Sequence, residues 1–118
     1  MELQIFTKHI TLDDKAREMI GEKLHRLDHF MRGAQTSWME AEIIKTTDHH
    51  KKGTIFDVEL KLHYTNTILK ASVKDESILN AIDRAKEEIE RQLLKLKGMR
   101  QASSRDTRKA VRKIRGKV

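Results

Sequence analysis

Residues Phe56-Asp57-Val58-Glu59-Leu60-Lys61-Leu62-His63 carry the cleanest alternation in the chain. Phe56, Val58, Leu60 and Leu62 fall on one side of an extended backbone, and Asp57, Glu59, Lys61 and His63 on the other. Successive strand side chains point to opposite faces, so this stretch predicts a strand with one dry face and one wet face. The neighbouring segments repeat the pattern. Upstream, residues 37–46 hold Trp38, Met39, Ala41, Ile43 and Ile44 and read as a strand. The polar run Thr47-Asp48-His49-His50-Lys51-Lys52-Gly53 then serves as a hairpin connection. Downstream, a short turn at Tyr64-Thr65-Asn66 leads into residues 67–74, where Leu69, Ala71 and Val73 alternate with Ile68, Lys70, Ser72 and Lys74.

Outward from this meander, residues 2–8 alternate Leu3 and Ile5 with Glu2 and Gln4 and predict a first strand. Thr11 is the expected N-cap of a helix, with Asp13 and Asp14 in its first turn, where the helix dipole favours negative charge. Ala16, Ile20, Leu24, Leu27 and Met31 recur at helical spacing, predicting a helix over about 13–31 that stops near Gly33. At the other end Ser77 is an expected cap. Ile78, Ala81, Ile82, Ala85, Ile89, Leu93 and Leu96 form an apolar stripe, and Gly98 is an expected stop. The order β-α-β-β-β-α predicts an α+β two-layer sandwich, a four-stranded sheet with two helices packed on one face. Residues 1–97 are then one domain. Residues 98–118 are a basic tail, expected to be disordered in the free protein and helical on a partner.

The chain has 118 residues, 37% of them hydrophobic and 36% charged, which suits one shared core and not two. It has no cysteine, which excludes disulfides, thiolate metal sites and a cysteine nucleophile and fits a cytoplasmic setting. The first residues read as a strand with no signal peptide visible, and no run approaches the roughly 18 apolar residues of a membrane span. The net charge of +7 is unevenly spread. Residues 95–118 hold ten basic residues against one acidic, Asp106, leaving 15 basic against 17 acidic in the rest. That concentration points to a polyanion. Nucleic acid fits better than a membrane surface, because Met99, Ala102, Ala110, Val111 and Ile114 are too few and too small for strong insertion.

At 100° per residue, Arg84, Arg91 and Lys95 fall within a sector of about 40° beside the stripe of the last helix. On the first helix Lys15, Lys23 and Arg26 span about 80°, also beside the stripe. Two helices side by side on the sheet would merge these flanks into one basic groove running on into the tail, through Lys97 and Arg100. The five aromatic residues do not suggest base stacking: Phe30 and Phe56 fit the core, and Trp38 fits sheet packing. Contacts to phosphate and sugar are the expected mode.

The segment Ala81-Ile82-Asp83, continuing through Ile89-Glu90-Arg91-Gln92-Leu93-Leu94-Lys95-Leu96-Lys97, resembles the last helix of the ribosome hibernation promoting factor and ribosome-associated inhibitor A family. Ile10-Thr11, Arg17-Glu18 and Lys23-Leu24-His25-Arg26-Leu27-Asp28 resemble its first helix and the lead-in, and the element order agrees. The resemblance covers about residues 1–97. It implies binding to the small ribosomal subunit in the channel of messenger and transfer RNA. An occupied channel cannot begin translation, so idle ribosomes are stored during stress or stationary phase. Lys23, Arg26, Arg91 and Lys95 match basic family positions thought to face ribosomal RNA. His29 and Glu88 stand where relatives can carry lysine, and the inhibitor relative ends in an acidic segment where this chain is basic. The resemblance implies the short form of the family, in which a separate factor would be needed to drive ribosome dimers.

Rival readings are weaker on the residues. A double-stranded-RNA domain has a similar order of elements but wants basic residues at the entrance to its last helix, which here reads Lys74-Asp75-Glu76-Ser77. Asp48-His49-His50 matches part of a metal phosphoesterase signature without the further acidic motifs or the larger domain that chemistry needs. His9, His25, His29 and His63 lack ligand spacing, and there is no glycine-rich phosphate loop. No catalytic site, cofactor or small-molecule substrate is expected. A role in modulating transcription, once attached to the family, is compatible with the sequence.

Overall fold

A computed structural model describes residues 1–31, 37–47 and 53–116, the side chains of residues 47 and 99–116 excepted. The elements are β1 (Glu2–Lys8), α1 (Asp14–His25), a 3-10 turn (Arg26–Phe30), β2 (Trp38–Thr47), β3 (Thr54–Tyr64), β4 (Thr67–Asp75) and α2 (Ile78–Gly116). The sheet order is β1-β2-β3-β4. β1 pairs parallel with β2 through the α1 crossover, and β2-β3-β4 is an antiparallel meander. This is the expected α+β sandwich.

The alternation of β3 is realised from Val58 onward, with Phe56 half-buried before it. Val58, Leu60 and Leu62 are completely buried, and they meet Met39, Ala41 and Ile43 of β2 and Leu69 and Ala71 of β4 on the inner face. Ile20 and Leu24 of α1, Leu27, and Ala81, Ile82, Ala85, Ile89 and Leu93 of α2 close the core from the same side, all at 0% exposure. The other sheet face stays wet. There Trp38 of β2 stacks flat on His63 of β3 at 3.8 Å, and Glu40 accepts from His63 Nε2 at 3.2 Å. Trp38 thus packs across two strands, as expected.

Three local expectations change. The N-cap of α1 is Asp13, not Thr11: its backbone is extended and its carboxylate accepts the Ala16 N–H at 2.7 Å. Leu12, between the two candidates, is buried, which anchors the chain before the helix begins. The first helix also does not run unbroken to residue 31. It tightens into the 3-10 turn after His25. Residues three apart eclipse in that geometry, so Leu27, buried, and Phe30, half-buried against the core, line up on one side. Gly33 and the hairpin residues 48–52, including Asp48-His49-His50, lie outside the described residues.

The third change is at Gly98. The helix does not stop there; its backbone is helical through Gly116. An interior glycine costs about 1 kcal/mol relative to alanine, too little to end a helix by itself. The following Gln101, Ala102, Arg105, Arg108, Lys109, Ala110, Arg112 and Lys113 favour helix, and no proline intervenes. The backbone of residues 98–116 thus continues α2 in this structure.

Candidate nucleic-acid interface

The basic residues of the two helices do not line one groove. Lys23 of α1 reaches across to Asp83 of α2, 3.0 Å from Oδ1 and 3.2 Å from Oδ2, so it ties the helices together. Relative to Asp83, Glu87 stands at about 40° around α2, Arg91 at about 80°, Arg84 at about 100° and Lys95 at about 120°. The crest of α2 therefore separates the Lys23 side from the Arg91 side. Arg84, Arg91 and Lys95 lie on the far flank, above β4. Lys97 is about 160° away from Lys95, half-buried on the α1 side. The expectation of a shared groove fails because the turn of α2 toward β4 is not readable from either helix alone.

What the structure assembles instead is a positive band around the β4 edge. Arg84 donates to the Lys74 carbonyl at 3.5 Å and pairs with Asp75 at 3.2 Å. Eight residues along, Gln92 donates to the Lys70 carbonyl at 2.8 Å. Both carbonyls belong to the edge strand, so the polar flank of α2 lies along β4. Lys70 and Lys74 are exposed on the outer face of β4, on the far side of the same edge from Arg84, Arg91 and Lys95. On sequence alone Lys70 and Lys74 are no more than wet-face residues. The available signal is their i, i+4 spacing on an end strand, and it acquires meaning only once α2 is placed beside that strand.

Several of these cations are held in cis. Arg91 pairs with Glu88, and both line an open depression with Arg84 and Glu87. Lys86 pairs with Glu90 at 3.2 Å. Asp75, at the end of β4, has a displaced titration. The Ser77 N–H donates to its carboxylate at 2.9 Å, and with Arg84 this holds the Asp75 carboxyl below the usual range. Ser77 in turn caps α2, its Oγ accepting from the Asn80 N–H at 3.3 Å. By contrast Lys15, Arg26, Lys95 and Lys97 have no ion pair or hydrogen bond among the described residues. Lys15, Arg26 and Lys95 are exposed. The Arg100 side chain is outside the described set.

No group of three or more histidine, aspartate or glutamate side chains is placed to hold a metal among the described residues. No described helix is long and apolar enough to cross a membrane. The arrangement offers fixed and free positive charge along a strand edge, suited to phosphate contacts.

A family model described as sigma 54 modulation protein / S30EA ribosomal protein matches residues 3–101. The chain belongs to this family. Two solved structures share the fold of this S30EA-family chain. The N-terminal domain of Protein Y from Thermus thermophilus superposes with a TM-score of 0.61 at 20% identity, covering 81% of this chain and 99% of that one. A ribosomal subunit interface protein from Coxiella burnetii gives a TM-score of 0.65 at 17% identity, covering 83% and 99%. No curated protein matches the chain. The S30EA match spans all four strands, α1 and the core-covering part of α2, so the candidate band lies wholly within it.

Proposed function

We propose that this S30EA-family chain is a cytoplasmic ribosome hibernation factor. It binds the small ribosomal subunit in the channel of messenger and transfer RNA and blocks translation during stress or stationary phase. The inhibition is steric, with no bond made or broken and no cofactor or small-molecule substrate. Lys15, Lys23, Arg26, Arg84, Arg91, Lys95, Lys97 and Arg100 contact ribosomal RNA, with residues 1–97 as the binding domain and 98–118 as a basic tail. A separate factor is the partner for any pairing of ribosomes. Family membership supports the ribosomal partner.

The observation that carries the RNA-binding reading is the band of Arg84, Arg91 and Lys95 along the β4 edge, leading into a helix whose next residues are strongly basic. Because the band crosses an edge and is not sunk in a groove, it suits contact with one wall of an RNA channel. Lys23 and Arg26 would meet a second strand of phosphates across the crest of α2. The test is co-sedimentation of the Arg91→Glu/Lys95→Glu variant with purified small subunits. Release from the subunit is expected; co-sedimentation equal to wild type would overturn the assignment. Salt titration of the wild type and the doubly neutralised Arg91→Gln/Lys95→Gln chain should differ in log–log slope by roughly 0.7–0.9 for each phosphate that the variant no longer neutralises.

A further inference from the structure

The outer face of the sheet has two halves of opposite character. β4 presents Lys70 and Lys74, whereas β1, β2 and β3 present Glu2, Glu40, Glu42, Asp57 and Glu59 against Lys8 and Lys61, with Glu59 paired to Lys61 at 3.5 Å and Glu40 to His63 at 3.2 Å. Register sets Glu42 of β2 directly opposite Glu59 of β3. Like charges directly opposite destabilise a strand pair, so this placement has a cost within the isolated chain. Phe6 of β1 lies beside Glu42 and is 48% exposed. Phe6, Glu40, Glu42, Glu59 and Lys61 line one shallow depression. Both helices pack on the other face, so among the described residues this one is unpartnered.

The chain itself carries the complementary chemistry. Residues 99–116 hold seven basic residues against one acidic, on a helical backbone. In their own chain they continue the axis of α2, which packs on the inner face of the sheet. α2 is one continuous helix of 39 residues. Its backbone stays helical for about 27 Å after residue 98, along the axis of α2. An arginine arriving from elsewhere would find the Phe6 ring beside the Glu42 carboxylate, a pairing suited to a planar guanidinium, with Glu59 next to it shared with Lys61.

We propose that the outer face of β1–β3 docks residues 99–116 of a second copy of this chain. Reciprocal seating closes a twofold dimer, and one-way seating extends a row; both raise the mass in solution. The association is electrostatic, so it weakens as salt shortens the screening length from about 10 Å at 0.1 M toward about 3 Å at 1 M.

The test is sedimentation velocity of the full-length chain and needs no ribosome, so its outcome is independent of the proposed function. At low salt the average mass should rise with protein concentration, and it should return to the monomer value at high salt. Two full-length variants separate the partners: Glu42→Lys/Glu59→Lys on the face, and Arg108→Gln/Lys109→Gln/Arg112→Gln/Lys113→Gln on the helix. Each alone should self-associate at least about tenfold more weakly, which corresponds to about 1.4 kcal/mol. Mixed one to one they should associate again, since one supplies the segment and the other the face. If circular dichroism shows the lysine variant misfolded, Glu42→Gln/Glu59→Gln replaces it. A wild-type chain that stays monomeric at low salt, variants that associate like wild type, or a mixture that stays monomeric would each overturn the proposal.

Discussion

The two edges of the sheet are finished in different ways. At β4 the carbonyls of Lys70 and Lys74 accept from Gln92 and Arg84, so one helix covers the core with its apolar stripe and the strand edge with its polar flank. At β1 the only such bond among the described residues is at the start of the strand, where His25 meets the Met1 carbonyl at 3.2 Å. Its strand partner is β2 alone, Phe6 is exposed, and the chain leaves at His9 through a left-handed φ of 64°. A covered edge becomes a place where cations are fixed by structure; an uncovered edge is guarded by charge alone. Arg84 therefore serves packing and charge together, so loss of function at that residue must be separated from loss of fold.

Substitutions at either edge test this contrast directly. The largest effect is expected at the core beside the covered edge. Leu69→Ala should cost about 2–5 kcal/mol in denaturant unfolding, while Leu3→Ala at the half-buried β1 edge should cost roughly half as much. Equal losses would mean the two edges are equally well packed. Next, Gln92→Ala removes the bond to the Lys70 carbonyl and should cost about 0.5–1.5 kcal/mol, with earlier hydrogen exchange along β4 than along β3. If β4 exchange is unchanged, the helix flank does not seal that edge.

Smaller effects follow from the charges. A double-mutant cycle on Lys23 and Asp83, both partly exposed, should give a coupling of at most about 1 kcal/mol that shrinks with added salt. On the acidic half the sign reverses: Glu42→Thr should raise stability by about 0.2–1 kcal/mol by relieving the pair with Glu59. A loss there would show that Glu42 has a stabilising partner. The smallest is a slope. Because the folded Asp75 carboxyl titrates below its unfolded value, its contribution is present above the ordinary aspartate pKa and is lost as pH falls through the folded value. Asp75→Asn should therefore differ from wild type at neutral pH and converge with it in acid. A constant difference across that range would remove Asp75 from the acid response.

Much of the fold is legible in the sequence because the signals are periodic. The alternation of Phe56 to His63 predicts which face of β3 is buried, and Ile82, Ala85, Ile89 and Leu93 predict the buried stripe of α2. The site is legible only in kind. Arg84, Arg91 and Lys95 are recognisable as one flank, since three residues on one helix share a fixed angular frame. Their relation to Lys23 is not, since two helices have no common frame until both are packed. Lys70 and Lys74 stay hidden for the same reason. Gly98 misleads because glycine marks a stop only where the residues after it disfavour helix, and these favour it.

The order of elements, the buried face of each and the excess of positive charge toward the C-terminal end follow from residue spacing and composition along one chain. That cations gather round the β4 edge, and most of the sheet's acids on the outer face of β1–β3, comes from packing in three dimensions. Lateral placement depends on how α1, α2 and the strands pack against one another, and no local period encodes which flank of a helix meets which edge of a sheet.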